Sequence, residues 1–427
     1  MADREIPDLQ KVLERMFRKP AGRPGGQGQA LFERTTASGS SRPPSPRRLA
    51  SVLKEGLFSR VLPLFSPGYG GPVVGVDVGA STLKIVRVDS SGEKPVVTGA
   101  ALEEAPVGLS DREKWEFFCE KIRTFKRRGL LSGRIVLGVL EDRMSVEPVT
   151  MPKMPEPDLQ KAVLWEAKEK MAAEAPKQIV KHLVMEERQV EGRAQWEILI
   201  FAVPREEVAR PYQMISGYGS HIMAAEPGIM ASTAAIDAAG LLKPGKFVGV
   251  LDIGYRHSTL ALLIDRKVCF IRAFSIAGQA ITENIAQYCK LDIEMAEQRK
   301  REIGLPQIGS VEPNPGAMDL NRQIAHAMSL YLEELATEVD HSLRYVTYYS
   351  VGRGRAGVLE NLYLVGGGGL LKNFPAFLEA RLNTKVEVAD PFQGIPISDA
   401  VKPALNSRFL RMRLAVALGL ALRPSGR

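Results

Sequence analysis

The sequence has few of the residues that bind metal ions or form disulfides. Its 427 residues include three cysteines and five histidines. Cys119, Cys269 and Cys289 show no CxxC spacing, and no HxH or HExxH pattern occurs. This usage is typical of reduced cysteines in a cytoplasmic protein, and it predicts neither disulfides nor a zinc site.

Long hydrophobic runs are also missing. No stretch of eighteen or more apolar residues occurs, and the first residues, MADREIPDLQKVLERMF, carry no apolar core behind a basic flank. We therefore expect neither a transmembrane helix nor a secretory signal. The content of 45% hydrophobic and 25% charged residues is that of a soluble globular protein, long enough for two lobes.

The net charge of +8 is unevenly placed. Residues 1–70 hold 12 Lys+Arg against 6 Asp+Glu, an excess of +6, so the other residues carry only +2. A folded body so close to neutral disfavours a uniformly basic nucleic-acid binder, and no nucleic acid is expected as a partner.

The segment 1–70 is unlike the rest of the chain. Two short amphipathic patterns, IPDLQKVLERMF and RLASVLKEGLFSRVLPLF, flank a stretch rich in Gly, Pro, Ser and Arg that cannot bury enough apolar surface to stay ordered. Two interpretations are open. The segment is a solvated tail, or it is a tether to an anionic membrane or to partner proteins.

One pattern occurs twice in the body. VVGVDVGASTLKIVRVD (73–89) and GVLDIGYRHSTLALLID (249–265) both predict a strand, an Asp-X-Gly turn with hydroxyl-bearing residues, and a second strand. Glycine lets such a turn point its amides at a phosphate, and the aspartate can hold Mg²⁺ or its waters. The candidate ligands are Asp77, Gly79, Ala80, Ser81, Thr82 and Lys84 in the first copy, and Asp252, Gly254, Arg256, Ser258 and Thr259 in the second.

A third element is VGGGG, at 365–369, between the apolar strand LYL and a helix predicted to begin near Leu370 or Leu371. Gly366, Gly367, Gly368 and Gly369 would let a phosphate or a flat ring approach the backbone. No GKS or GKT follows, so the element is not a P-loop. Other apolar alternations predict strands in RIVLGVLE, KHLVMEERQV and QWEILIFAVP.

These elements, in this order, resemble the actin-like ATPase superfamily, which includes actin, sugar kinases, DnaK-type chaperones and FtsA. The resemblance implies ATP and Mg²⁺ as cofactors, with Asp77 and Asp252 holding the metal through water. AAEPGIMAST (224–233) is similar to the segment that places an acidic residue near the attacking water, which makes Glu226 the catalytic candidate. A contact with the helix dipole would account for Glu226 as well. ITENIAQYCK (281–290) points to Glu283 beside the nucleoside.

Within that superfamily the chain resembles the PilM family of type IV pilus assembly. The similarity rests on MPKMPEPDLQKAVLWEAKEKM, EVDHSLRYVTYY, LYLVGGGGLLKNFPAFLEARLNTKVEVADPF and the closing LAVALGLALR. It covers about residues 72–423, so it carries no implication for the segment 1–70. Ala80 departs from the family, where a serine is usual. A cleft that grips nucleotide more from the second lobe, through Arg256, is therefore expected.

The resemblance implies an α/β fold of the actin-like ATPase type, with two ribonuclease-H-like halves around a nucleotide cleft and a small inserted α+β subdomain. The expected parts are an extension at 1–70, lobe 1 at 71–149, an insert at 150–209, the return to lobe 1 at 210–245, and lobe 2 at 246–427. The run LAVALGLALR is apolar all round and is predicted to be core.

The resemblance also implies the biology. A PilM-type protein is cytoplasmic and lies against the inner membrane. It binds the N-terminal peptide of a PilN-like membrane protein in a cleft between its first subdomain and its insert, and it acts with other platform and motor proteins. Slow or absent ATP hydrolysis is compatible with the motifs. The alternatives are an FtsA-like or secretion-system scaffold and a phosphotransferase of the sugar-kinase type.

Overall fold

A computed structural model describes residues 71–139, 141, 143–172, 177–217, 221–305, 319–351 and 357–422. The predictions for the segment 1–70 lie outside these ranges. None of the described helices is long and apolar enough to cross a membrane.

The strands, numbered in chain order, form three sheets. They are β1 (Val73–Val78), β2 (Thr82–Asp89), β3 (Val96–Glu104), β4 (Arg134–Val139), β5 (Ser145–Pro152), β6 (Gln178–Val190), β7 (Arg193–Pro204), β8 (His221–Pro227), β9 (Phe247–Ile253), β10 (Ser258–Ile264), β11 (Lys267–Phe274), β12 (Asn361–Val365) and β13 (Val386–Val388). The predicted strands at VVGVDVG, LKIVRVD, RIVLGVLE, KHLVMEERQV and QWEILIFAVP are confirmed. The strands β3, β5, β8, β11 and β13 were not predicted.

The helices lie between and after these strands. They are α1 (Asp111–Arg127), α2 (Glu156–Met171), α3 (Arg205–Ser216), α4 (Gly228–Ala238), α5 (Gly278–Cys289), α6 (Ile293–Ile303), α7 (Leu320–Val351), α8 (Phe374–Leu382), α9 (Arg408–Arg413) and α10 (Ala415–Leu422), with a 3₁₀ turn at Gly368–Leu370. The helix predicted near Leu370 or Leu371 begins instead at Phe374, because the 3₁₀ turn comes first.

Two of the sheets have the same topology. The first has the order β3-β2-β1-β4-β8 and the second the order β11-β10-β9-β12-β13. In both, the first strand pairs antiparallel with the second and parallel with a later one. The central β1 is buried along its whole length, as expected for a strand in the middle of a sheet that is covered on both faces. The chain therefore consists of two halves of equivalent construction.

The third sheet forms the insert. Its order is β5-β7-β6, and all its pairs are antiparallel. Helix α2 covers one face through Leu159, Val163 and Ala167, which recur every four residues. The opposite face adds Leu199 and Phe201 to the main core, so the insert is fastened to the body by apolar packing. The sheet begins at Ser145, five residues before the predicted start of the insert.

Local signals fix where helices begin. Ser110 caps α1 by accepting a hydrogen bond from the Glu113 amide, while the Glu113 carboxylate accepts one from the Ser110 amide at 2.8 Å. This reciprocal capping box satisfies two amides that have no partner inside the helix. Asp292 likewise caps α6 by accepting from the Met295 amide at 2.7 Å. These caps place the starts of α1 and α6, which both face the gap between the halves.

The end of the chain returns to the first half. Helix α10 packs on β1, β2 and α4, and Leu418 and Leu414 share a cluster with Val86 and Val88 of β2. The predicted core position of LAVALGLALR is confirmed, since Ala415 to Ala421 are buried. Its place differs from the predicted boundary, which gave all of 246–427 to the second lobe. The apolar outer face of the first sheet needs this helix as its cover.

Trp165 lies on the outer side of the insert. On α2 it is 61% exposed, next to Leu164 at 44%. Helical spacing explains this position, because the buried stripe runs through Leu159, Val163 and Ala167 and leaves Trp165 on the outer side.

Glycines allow α10 to lie directly on its neighbours. A Cβ at Gly419 would stand 1.8 Å from the Ala231 carbonyl oxygen, and a Cβ at Gly75 would stand 2.0 Å from that of Ala417. Gly419→Ala should therefore lower the free energy of unfolding by about 1–3 kcal/mol through overpacking, although alanine favours helices. Urea denaturation measures this change.

Gly357→Ala is the matched control, since nothing lies within 4 Å of a Cβ there. Its effect should stay within about 0.5 kcal/mol. Equal stability of Gly419→Ala and the wild type would show that α10 does not pack as described.

Candidate functional site

The two repeated turns have the same geometry. The Gly79 amide donates to the Thr82 carbonyl at 2.9 Å, and the Gly254 amide donates to the His257 carbonyl at 3.0 Å. Each aspartate stands one residue before the last position of its strand, with Asp77 opposite Lys84 and Asp252 opposite Thr259. The repeat in the sequence is therefore a repeat in structure, with one copy in each half.

Both turns open into one cleft, which is open to solvent. The predicted residues that line it are Asp77, Gly79, Ala80, Ser81, Thr82, Lys84, Asp252, Gly254, Arg256, Thr259, Gly366, Gly367 and Gly368. Segments almost three hundred residues apart in sequence thus meet on the same cleft.

Four predicted residues lie outside the lining of this cleft. The Ser258 hydroxyl is buried and donates to the Ile276 carbonyl at 2.7 Å. Glu283 is exposed on α5 and accepts from Gln279 at 2.8 Å. Gly369 is buried against Leu364. Glu226 is half-buried on β8, beside Gly138 of β4. A catalytic role for Glu226 and nucleotide contacts for the other three stay predictions.

In the first half, the aspartate is held by a lysine. Lys84 Nζ lies 2.7 Å from Asp77 Oδ2, and the two side chains are only 17% and 12% exposed. The pair crosses the hairpin, because Asp77 and Lys84 are register partners on adjacent strands. A cation is thus built into the cleft beside the first turn.

In the second half, the aspartate is held by a helix. Ser232 of α4 donates its hydroxyl hydrogen to Asp252 Oδ2 at 2.9 Å. Burial raises the pKa of Asp252 above its ordinary value, although Lys84 and Ser232 act to lower it. A cationic ligand near this carboxylate would therefore be favourable.

Sequence reasoning missed Glu141, which follows β4 and lines the cleft. Its side chain is 5% exposed, accepts from the Ile229 amide at 2.6 Å, and has an oxygen 3.9 Å from His257 Nε2. Burial raises the pKa of Glu141 to about 8, with the amide of Ile229 acting the other way. No local motif marks this residue. The available signal was its position at the end of the predicted strand RIVLGVLE, two residues after β4 ends, since strand ends border the cleft.

Helix α6 brings a second unpredicted group to the cleft. Lys300, buried, donates to Glu297 at 2.6 Å, to Thr282 at 2.7 Å and to the Gly278 carbonyl at 2.9 Å. Burial acts to raise the pKa of Glu297, but Lys300, Thr282 and Arg301 outweigh it and leave the pKa low. The signal for this group was the spacing of Glu297, Lys300 and Arg301, which share one helix face at i, i+3 and i+4.

Charged contacts join the two halves across the mouth of the cleft. Glu104, at the end of β3, accepts from Arg301 at 2.5 Å and from Arg413 at 3.0 Å. Arg256, in the second turn, pairs with Asp111 at the start of α1. Arg256 was expected to grip phosphate. Its place in the cleft wall is as predicted, but here its guanidinium pairs with the opposite half.

Two of the four clustered glycines are required by packing. A Cβ at Gly366, whose φ is +79°, would stand 2.4 Å from Asp252 Oδ1, and one at Gly368 would stand 2.2 Å from Ile253 Cγ2. The glycine turn therefore lies directly on the second hairpin. Gly367 has space around it and lines the cleft. The cluster serves both the packing of the site and the shape of its wall.

Two halves of equal topology, each with an Asp-X-Gly turn at one shared cleft, define the actin-like ATPase fold. The sequence profile of the type IV pilus assembly protein PilM matches residues 75–425. The chain belongs to the PilM family, as the sequence predicted.

The chain is also similar to several solved structures. The chain is similar to a protein of a PilM–PilN type IV pilus biogenesis complex, with a TM-score of 0.68 and 26% identity over 82% of this chain and 98% of that one. It is also similar to the ethanolamine utilization protein EutJ of Carboxydothermus hydrogenoformans, with a TM-score of 0.47, 16% identity, and coverage of 84% and 91%. A third similar structure is MreB 5 of Spiroplasma citri bound to AMPPNP. Its TM-score is 0.44 and its identity 11%, over 82% of this chain and 94% of that one.

The buried Glu141 carboxyl should make stability depend on pH. Its pKa in the folded protein is about 8 against an ordinary value of 4.5, so the folded state keeps a proton that the unfolded state has lost. The contribution is complete below about pH 4.5 and is lost as the pH rises through about 8. In that window the free energy of unfolding should fall by up to about 1.4 kcal/mol per pH unit.

Glu141→Gln should reduce the slope of the free energy of unfolding against pH. A smaller slope of the same sign should remain, because the pKa of Asp252 is raised as well. Urea denaturation at several pH values measures it, with Glu169→Gln at an exposed position of α2 as the control. An unchanged slope in Glu141→Gln would contradict the burial of this carboxyl.

Proposed function

We propose that this PilM-family chain is an ATP-binding component of the type IV pilus assembly platform, with a PilN-like peptide as partner. The observation that carries the nucleotide part is the convergence of two equivalent Asp-X-Gly turns and a glycine turn on one cleft. Each half supplies one turn, so a bound nucleotide would bridge the halves.

The two turns would hold the phosphates. Their glycines leave room for backbone amides to face an anion, and Ser81 and Thr82 add hydroxyl donors in the first turn. Lys84 Nζ stands between the turns, close enough to Asp252 to lower its pKa, and adds a positive charge. Ala80 removes one hydroxyl, which leaves the first turn to act through Ser81, Thr82 and its amides.

The cleft also fits a magnesium ion held through water. No described residues form a group of three or more His, Cys, Asp or Glu able to hold a metal directly. Asp77 and Asp252 do both line the cleft, and Mg²⁺ commonly keeps several waters and takes one or two carboxylates with phosphate oxygens. Bound there, it would neutralise phosphate charge next to two acidic side chains.

The nucleoside would lie toward α6 and the glycine turn. Lys300, Arg301 and Gly367 line this end of the cleft, and the Lys300 network fixes the wall that α6 presents. The predicted contact of Glu283 with the nucleoside is not part of this placement, because its side chain is exposed and outside the lining of the cleft. Gln279 and Glu283 bond to each other along α5 instead.

Hydrolysis is proposed to be slow or absent. Glu141 lies in the cleft where β4 ends and α4 begins, and its pKa of about 8 keeps it protonated at neutral pH, which makes it a poor base. Glu226 lies outside the lining. A protein that only holds nucleotide and changes conformation with it needs groups that position and neutralise the phosphates, and this cleft offers them. It does not need a catalytic base.

A PilN-like N-terminal peptide is the proposed partner of the insert. The similar protein of known structure was solved in a PilM–PilN complex, and the present chain covers 98% of it. The insert is fastened to the body by its inner face and exposes Leu164 and Trp165 on its outer helix, so it has surface for protein contacts. A cytoplasmic position against the inner membrane, contacts with other platform and motor proteins, and contact of the segment 1–70 with an anionic membrane complete the proposal.

The other interpretations have less support. Membership of the PilM family argues against a sugar kinase. The buried position of α10 argues against an FtsA-like scaffold that uses this helix as its membrane anchor.

Asp252→Ala should weaken ATP binding at least about tenfold, because it removes a carboxylate proposed to hold the metal and leaves Ser232 without its acceptor. Isothermal titration calorimetry with Mg·ATP measures the dissociation constant. Asp340→Ala, on the outer side of α7, is the control and should bind like the wild type. Wild-type affinity no better than that of Asp252→Ala would end the nucleotide-cleft proposal.

The peptide proposal has a separate test. A synthetic N-terminal peptide of the PilN-like protein from the same organism should bind the full chain in fluorescence polarisation, and a scrambled peptide should not. Asp252→Ala should still bind the peptide, because the cleft and the insert are different surfaces. No binding of the authentic peptide would remove the main support for the partner.

A further inference from the structure

The folded body contains one strongly cationic segment. Residues 121–134, KIRTFKRRGLLSGR, hold six basic residues and no acidic one. Since the segment 1–70 carries +6 of the net charge of +8, this charge of +6 leaves the rest of the body at −4. The positive charge of the body is therefore concentrated where α1 ends and the chain turns into β4.

The segment lies at the end of the first sheet that points away from the cleft. Arg134 begins β4 and pairs with Val73, the first residue of β1, while the turn of Asp77 and Gly79 is at the other end of β1. Six residues of strand separate the two ends, about 20 Å. A partner at this edge would leave the cleft open.

The basic N-terminal segment joins the body at the same edge. The Arg134 amide donates to the Pro72 carbonyl at 3.0 Å, and a Cβ at Gly133 would stand 2.5 Å from the same oxygen. Arg87 reaches the edge from β2, where it donates to the Ser132 carbonyl at 3.1 Å. The chain that follows the segment 1–70, which carries +6, therefore enters the body next to residues 133 and 134.

Part of this charge is paired inside the protein, since Lys121 Nζ lies 3.0 Å from a Glu103 carboxylate oxygen. No described carboxylate forms an ion pair with Lys126, Arg127 or Arg128. Basic residues in the last turn of α1 complement its dipole. The dipole effect covers only that final turn, and it does not account for Arg87, which lies on β2.

We infer that this edge, formed by residues 121–134 and Arg87 (the basic edge), is a docking surface for an anionic phospholipid membrane. Juxtaposed lysines and arginines bind anionic lipid surfaces by summing small electrostatic attractions. The adjoining segment RLASVLKEGLFSRVLPLF supplies apolar residues among its basic ones, as interfacial membrane segments do. The basic edge would hold the body against the membrane with its cleft facing away.

A nucleic acid fits the same observations less well. Proteins that bind single strands without sequence preference add aromatic side chains on which bases stack. The aromatic residue of 121–134 is Phe125, which is 4% exposed and belongs to the core. The inference rests on the proposed function for its membrane setting, and it needs neither nucleotide nor peptide binding.

The test is co-sedimentation of the full chain with vesicles of phosphatidylglycerol and phosphatidylcholine, and with vesicles of phosphatidylcholine alone. The wild type should bind the anionic vesicles and not the neutral ones. Arg127→Gln with Arg128→Gln should lower the partition coefficient about 25-fold, about fivefold for each charge lost. Lys267→Gln with Arg322→Gln, two exposed basic residues of the second half, is the control of equal net charge.

Three results would overturn the inference. The wild type fails to bind anionic vesicles, or the control pair loses as much binding as the Arg127/Arg128 pair, or single-stranded RNA binds the wild type more tightly than the vesicles do. Thermal melting checks that both double variants fold. ATP and peptide binding by the Arg127/Arg128 variant separates this result from the proposed function, since both should be unchanged.

Discussion

The carboxylate of Asp252 is the point around which three distant segments are fitted. It ends a buried strand, accepts the Ser232 hydroxyl from α4, and lies so close to Gly366 that a Cβ there would stand 2.4 Å from its Oδ1. A helix of the first half, a strand of the second half and the glycine turn therefore meet at one acid. The shape of the cleft depends on this contact, because moving any of the three segments would displace the others.

The same crowding sets the electrostatics of the cleft. Asp252 and Glu141 are both desolvated, and both pKa values are raised, so negative charge is unfavourable at this depth. Lys84 offsets part of this charge through its contact with Asp77. In a metal-bound phosphate ligand, the metal ion would place positive charge next to the acids. The phosphate oxygens would accept hydrogen bonds from the amides of the two turns. The acids and the turns thus favour a ligand that carries both signs.

The sequence could predict what is local. The two hairpins, the glycine turn and most strands follow from alternation and turn chemistry within about twenty residues, and the structure contains them. Glu141, and the pairing of Arg256 with Asp111, depend on which strand end faces which helix across the cleft. The spacing of residues within one segment does not show which elements meet across the cleft. The exposed position of Trp165 followed from helical spacing in α2 once the buried stripe was known.

The position of α10 has a consequence for how the chain is made. This helix, at the very end of the described chain, lies against β1, the first strand, through Gly75 and Ala417. During synthesis β1 emerges from the ribosome some three hundred and forty residues before α10. Until α10 has been made, Val86 and Val88 have no partner from it, and the nascent first half exposes an apolar face. Completion of the first half therefore depends on α10, so a product truncated before this helix would keep an exposed surface that chaperones and proteases recognise.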